Sequence, residues 1–239
     1  MADIEAIIDI PKSQRRMLHR VPVQLRRRGK TDIYEAVVVS LGPYHHRRKG
    51  SQLHLVEPFK DELRDMLCRG ADRRSSLMSN IYEIRHFYGG ADGYTDEELA
   101  EMMLRNACFL ICYMHGFRDG NNTTYFQMSE RMGKSAMMFA PCETLMLENQ
   151  IPLWLISLIH PNQSLLCEYL SYYVYGDYRM TQLSWTKEEE PLHLLEALHR
   201  TFLRLVETQQ NSSFFWNQGR HGRSLKQVRG NIWTVLFGR

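Results

Sequence analysis

"TDEELAEMMLRNACFLICYMHGF", Thr95 to Phe117, decides what kind of chain this is. Thr95 suits a helix N-cap, and Glu98 stands three residues on, where a capping box places a carboxylate that reaches back to the cap amide. Asp96 and Glu97 add negative charge at the positive end of the helix dipole. Leu99, Met102, Met103, Leu110, Tyr113, Met114 and Phe117 then recur at three- and four-residue steps. The spacing predicts a long helix with a buried stripe, closed by Gly116 or Gly120.

The same period extends outward from it. Val56, Phe59, Leu63, Met66 and Leu67 form a second stripe, with Pro58 suited to a first helical turn. Leu77, Ile81, Ile84 and Tyr88 repeat it until "GGADG" at Gly89–Gly93, and Leu195, Leu198, Phe202 and Leu205 make a fourth stripe behind Pro191. Between them Gly120 to Pro141 is polar and lacks a strong period, which predicts a long loop or a poorly ordered insertion. "AVVVSLG", Ala36–Gly42, reads as a strand, being short, rich in valine and stopped by Gly-Pro. "SYYVYGDYRM", Ser171–Met180, fits a strand or a continuation of a helix begun at Ser164. The expected fold is mainly α, an irregular multi-helix globular domain with at most a minor short β element.

The 239 residues, 44% apolar and 24% charged, suit one large or two small packed domains and exclude wholesale disorder. Charge is uneven: Met1–Arg74 hold 16 Lys/Arg against 10 Asp/Glu, and the remainder holds 14 against 17. The front is therefore basic, a composition that favours acidic partners or anionic surfaces. Five cysteines, several inside apolar runs, read as buried free thiols rather than a disulfide framework. "MADIEAIIDIPKSQRR" lacks the basic leader and long apolar run of a signal peptide. "IPLWLISLI", Ile151–Ile159, is about half the length of a membrane span, so a cytoplasmic or peripheral-membrane chain is expected.

Several motifs now line up in order: Val21, Pro22 and Leu25; then Ser40, Gly42, Pro43, Tyr44 and His45; then Leu53, Glu57 and Lys60; then Arg85 and Tyr88; then "MMLRNACF"; and last Leu147, Glu148, Asn149, Gln150 and Pro152. Together they strongly resemble a plant-specific family known as domain of unknown function 247. The resemblance implies a family domain over residues 1–210 and a divergent or truncated tail over 211–239. It also implies a membrane-associated family, because members commonly end in a transmembrane helix, whereas this sequence ends at "NIWTVLFGR". Two positions depart from the pattern. Asn106-Ala107 stands where Asp-Gly is usual, and Glu143-Thr144 precedes the Leu-Glu-Asn-Gln element where an Asp is usual.

Candidate sites follow from residue chemistry. "SLGPYHHRRKG", Ser40–Gly50, offers His45 and His46, but adjacent side chains on extended backbone diverge and no cysteine pair accompanies them, so no metal is expected. The loop reads as an architectural turn with a basic tip at Arg47, Arg48 and Lys49. With Arg26, Arg27 and Arg28 these are the candidate anion-binding residues. Interleaved aromatics for base stacking are missing, which disfavours nucleic acid. In "LENQIP", Pro152 forces a helix to kink or restart, Asn149 and Gln150 can satisfy the freed backbone groups, and Glu148 can pair with a cation such as Arg85.

No nucleophile elbow, phosphate-cradling loop or zinc-protease helix occurs, so no catalytic residue and no cofactor is nominated. The reading that results is a non-enzymatic recognition module for a protein partner with an acidic surface; the sequence leaves the oligomeric state open. Phosphate, nucleic-acid or anionic-membrane binding by the basic front is the alternative. A hydrolase or nuclease using Glu148 with His45 or His46 is the second. The resemblance adds the settings in which some family members act: self-incompatibility, growth and stress.

Overall fold

The computed structural model describes residues 16–26, 34–46, 53, 56–69, 72–118, 123–162, 164–175, 185–186 and 189–211. In chain order its helices are α1 (Val23–Arg26), α2 (Pro43–His46), α3 (Glu57–Leu67), α4 (Arg73–Ser79), α5 (Ile81–Phe87), α6 (Asp96–Arg118), α7 (Thr123–Met132), α8 (Lys134–Glu143), α9 (Leu153–Ile159), α10 (Ser164–Tyr175) and α11 (Leu194–Asn211). Among the described residues the only strand-like pairing is an isolated antiparallel bridge between Pro152 and His193. The fold is mainly α, as the apolar period predicts.

The helix read from Thr95 is the axis of the fold. Its capping box is reciprocal: the Thr95 amide donates to Glu98 Oε2 at 2.9 Å, and the Glu98 amide donates to Thr95 Oγ1 at 3.2 Å. Every residue from Asn106 to Met114 is buried, so the middle of α6 has no solvent face. A helix enclosed on all sides belongs inside a core, and α3, α4, α5, α7, α9 and α10 all pack against it. Each large apolar side chain buried there stabilises by about 1.5–3 kcal/mol. Gly116 does not close α6. The helix runs on to Arg118, and Gly116 is where α7 passes closest: a Cβ there would lie 2.8 Å from the Tyr125 Cβ.

Two expectations change. Gly120–Pro141 carries α7 and α8, separated by Gly133 at φ +81°, rather than a loop. Met128, Met137 and Ala140 are buried while Phe126, Met138 and Phe139 are exposed. Apolar residues on both faces blur the period on which a sequence reading depends. Ala36–Gly42 is not a strand either. Its backbone bends at Val37 and Val38, and its amides and carbonyls pair with side chains.

The stripe at Leu77–Tyr88 is divided between α4 and α5 at Asn80, whose side chain donates to the Ser76 carbonyl at 2.8 Å. At Ser171–Met180 the helix begun at Ser164 continues to Tyr175, and 176–180 lie outside the described residues. The segment 16–22 straps across the fold. The Leu18 amide donates to the Phe87 carbonyl at 2.6 Å, and Arg16 pairs with Glu196 at 2.7 Å. No described helix is long and apolar enough to cross a membrane.

α11 starts behind Pro191, as read, and buries Leu194, Ala197, Leu198 and Thr201. Its cap is a histidine: His193 Nδ1 accepts the Glu196 amide at 3.2 Å, while Glu196 Oε2 accepts the Leu192 amide at 2.7 Å. Only a neutral imidazole can accept there. Burial holds His193 down at about 4, against the pull of Glu196 and with the help of Arg16. The unfolded chain therefore binds a proton that the folded chain refuses between about pH 6.5 and 4. This contribution, about 3 kcal/mol at most, is fully present above pH 6.5 and is lost as pH falls through that window. His193→Asn caps without titrating, so the stability gap between wild type and variant should shift toward the variant from pH 7 to pH 4.5 in urea unfolding. A gap constant with pH would remove His193 from the account.

Candidate functional site

The segment Ala36–Gly42 buries Ala36, Val39, Ser40 and Leu41, and among the described residues no strand lies beside it to receive its amides. A side chain more than a hundred positions later in the chain takes that place. The Val37 amide donates to Glu143 Oε1 at 2.9 Å, the Val38 amide to both oxygens at 3.0 and 2.9 Å, and the Val39 amide to Oε2 at 2.7 Å. Consecutive amides converging on one anion form a nest. Glu143 is the last residue of α8, where the helix dipole disfavours an acid, and burial pushes its carboxyl up while the three amides oppose that. The nest is what makes the position tolerable.

Asn149 completes the pairing. Its Oδ1 accepts the Leu41 amide at 2.7 Å and its Nδ2 donates to the Val39 carbonyl at 2.8 Å. The carboxamide thus stands where a peptide group of an adjacent strand would stand, and its second N–H reaches the Glu143 carbonyl at 3.0 Å. Lys60, fully buried, holds the next groups: its ammonium donates to the Ser40 carbonyl, to Glu57 Oε1 at 2.6 Å and to Asn106 Oδ1 at 2.7 Å. Burial lowers the lysine's pKa, and Glu57 opposes it. Asn106 in turn donates to the Leu41 carbonyl at 2.7 Å. It accepts from a cation and donates to a carbonyl at once, a double role that the Asp usual in the resembled pattern, once ionised, could not fill.

The "LENQIP" residues radiate to three parts of the fold. Glu148 accepts the Val21 amide at 2.6 Å on Oε1 and pairs through both oxygens with Arg26. Gln150 donates to the Thr144 and Met146 carbonyls at 2.9 and 2.6 Å and accepts the Leu195 amide at 3.1 Å. Pro152 kinks nothing: it is the extended N-cap residue from which α9 restarts. The cation on Glu148 is Arg26, not Arg85. Arg85 instead binds Asp96 at 2.6 Å and the Gly90 and Tyr94 carbonyls at 2.9 and 2.7 Å, closing the turn before α6.

The "SLGPYHH" turn meets this clasp. Gly42 is needed for its closeness, since a Cβ would lie 3.1 Å from the Gln150 carbonyl oxygen. Pro43 opens α2, and the Tyr44 hydroxyl lies 2.7 Å from the Leu18 carbonyl and 3.0 Å from that of Tyr88. Its ring packs edge-on against Tyr88, at 5.7 Å. Tyr88 donates to the Gln150 carbonyl at 2.8 Å. His45 is buried in the turn, and His46 Nδ1 lies 3.8 Å from Glu57.

Outside the clasp, the exposed Arg20 lies over the Tyr44 ring at 4.6 Å and contributes to two open grooves. One, of about 680 Å³, runs past His19, Pro43 and Tyr94; the other, of about 560 Å³, runs past Pro22, Arg26, Glu35, His45 and Glu148. His45 and Glu148 do share that second groove, but both carboxylate oxygens are already engaged by Arg26, and one also by Val21. Arg26, grouped with Arg27 and Arg28 by sequence, is drawn into the clasp. Arg27, Arg28, Arg47, Arg48 and Lys49 lie outside the described residues. Sequence reasoning missed Glu143 as an acceptor and Arg20 as the ridge between the grooves. An acid at a helix C-terminus was the available signal for the first, and it is visible only once α8 is known.

A family model described as a plant protein of unknown function, DUF247, matches residues 18–229, a span that contains all the motifs discussed. No curated protein and no solved structure matches the chain.

Proposed function

Because this chain belongs to the plant family DUF247, a family of unknown function, we propose that it is a non-enzymatic recognition module whose grooved face binds an acidic protein segment. The observation that carries this is Arg20, an exposed cation backed by the Tyr44 ring and standing between two open grooves. A guanidinium held against an aromatic face is partly desolvated and pre-oriented, which favours carboxylates and aromatic neighbours in a partner. The clasp supports the reading from the other side: Glu148, Asn149, Gln150 and Lys60 are engaged in holding segments together, which suits a rigid display surface better than proton transfer. The setting, whether self-incompatibility, growth or stress signalling, is part of the proposal and rests on the family alone.

The test is affinity capture of the tagged chain from plant extract at low and high salt, with Arg20→Ala and Arg27→Ala/Arg28→Ala alongside. Arg26 stays in place, since removing it would strand Glu148. The expected result is a set of proteins, acidic over the bound region, whose capture falls at least about fivefold in the Arg20 variant. Capture of nucleic acid or lipid alone, lost with salt and with the Arg27/Arg28 variant, would replace this reading with the basic-surface one.

A further inference from the structure

Where α3 ends, it meets α6 through two thiols. Cys68, the C-cap residue of α3, places its Sγ 3.6 Å from the Sγ of Cys108 in α6. Access to the two differs. Cys68 is partly exposed, whereas Cys108 has no exposed surface, and Cys112, one helical turn further along α6, is buried as well. Burial pushes the Cys112 thiol up to about 12, and burial, followed by the neighbouring Cys68, pushes Cys108 up against the opposing pull of Arg64. Among the described residues no three His, Cys, Asp or Glu side chains are grouped to hold a metal ion, which directs the pair to thiol–thiol chemistry rather than to a zinc site of four ligands.

Buried thiols that hold their protons are inert toward outside reagents, and a partly exposed one is not. An oxidant therefore reaches Cys68 first, and it has to be small, because Cys68 itself packs against the core. Hydrogen peroxide meets that requirement. Cys108 is then the resolving thiol: the two sulfurs need to approach by about 1.5 Å to reach bonding distance, and the movement falls at the end of α3 rather than within a helix. We propose that Cys68 and Cys108 are a site of oxidative modification, at which peroxide converts the two thiols to a disulfide that bolts α3 to α6. The Cys68 sulfur, as thiolate, attacks one peroxide oxygen, the O–O bond breaks, and the departing hydroxide leaves as water with the proton that Cys68 gave up, so that Cys68 becomes a sulfenic acid. The Cys108 sulfur then attacks the Cys68 sulfur, the S–O bond breaks, and the departing hydroxide takes the Cys108 proton to form a second water. Peroxide is reduced by two electrons, one from each sulfur. The bond joins residues 40 apart in the chain, on the same two helices that Lys60 and Asn106 already connect at 2.7 Å. The proposal does not depend on what binds the grooved face.

The experiment treats the full chain, first reduced and then freed of reductant, with hydrogen peroxide in native buffer. Remaining thiols are blocked with N-ethylmaleimide under denaturing conditions, and the tryptic peptides are mapped by mass spectrometry. Trypsin releases Cys68 within residues 65–69, and Cys108 together with Cys112 within 106–118, so fragmentation between Cys108 and Cys112 assigns the bond. The expected product is these two peptides joined through Cys108, lighter than the separate thiols by two hydrogens. The bond should form equally in Cys112→Ala and be lost in Cys108→Ala, where dimedone traps the Cys68 sulfenic acid instead. Oxidation of the wild type should also raise the urea midpoint by about 1 M, since a closed loop of this length restricts the unfolded chain, and a phosphine reductant should return it. Peptides that peroxide leaves unjoined, a bond to Cys112 in place of Cys108, or a midpoint that oxidation does not raise would each overturn the proposal. Should Cys108→Ala fail to fold, the wild-type map and its midpoint still decide.

Discussion

Replacing Glu143 with leucine is expected to destabilise the chain by about 3 kcal/mol, a large share of the 5–15 kcal/mol that a typical domain has. Three consecutive amides, those of Val37, Val38 and Val39, converge on this carboxylate at 2.7 to 3.0 Å. Without it the Val39 amide, in a residue with no exposed surface, has no acceptor, at a cost of about 1–3 kcal/mol. Val37 and Val38 lie nearer to water and lose less. Removing a buried acid relieves some desolvation, which keeps the total from being the simple sum. Glu143→Gln retains one oxygen but turns an N–H toward the donors, so its loss should be about half as large or more. Urea midpoints for the two variants check this, and midpoints equal to wild type would show that the nest contributes nothing.

The second large effect is at Lys60. Lys60→Met keeps the length of a side chain that has no exposed surface but removes three donated hydrogen bonds. The Ser40 carbonyl and Asn106 Oδ1 lose their charged donor, while among the described residues Glu57 keeps the longer approaches of His46 and Arg105, at 3.8 and 3.9 Å. Removing one partner of a buried ion pair costs about 3–5 kcal/mol where the other stays buried. Glu57 is partly exposed, which places the expectation near the lower figure. Lys60→Arg should not rescue, because the enclosed site has no room for a guanidinium. A methionine variant within about 0.5 kcal/mol of wild type in chemical unfolding would contradict this role.

Much of the helical frame was legible because its signals are local. Thr95 and Glu98 sit three residues apart and cap each other as read, and the stripes of α3 and α6 are periods that a single strand of sequence displays. What was not legible depends on partners distant in sequence. Ala36–Gly42 looks like a strand because valines favour extended backbone, but the chain bends at Val37 and Val38, which turns successive amides toward one carboxylate. Its partners are the side chains of Glu143, Asn149, Lys60 and Asn106, and nothing in seven residues announces that. The same holds for Glu148. Its need for a cation could be argued, but the choice of Arg26 over Arg85 follows from the path of the strap through Val21. α7 and α8 were hidden because exposed Phe126, Met138 and Phe139 share the helices with buried Met128 and Met137, and because the close approach at Gly116 is a tertiary fact.

Side chains, standing in for a neighbouring strand, fasten the valine segment Ala36–Gly42 to the core. Amide hydrogen exchange at Val37, Val38, Val39 and Leu41 tests it most directly. Val39 and Leu41 are expected to exchange as slowly as the buried amides of α6, with Val37 and Val38 less protected, and Asn149→Ala is expected to release Leu41 selectively. Exchange of all four at the rate of an open loop, in the intact chain, would contradict it.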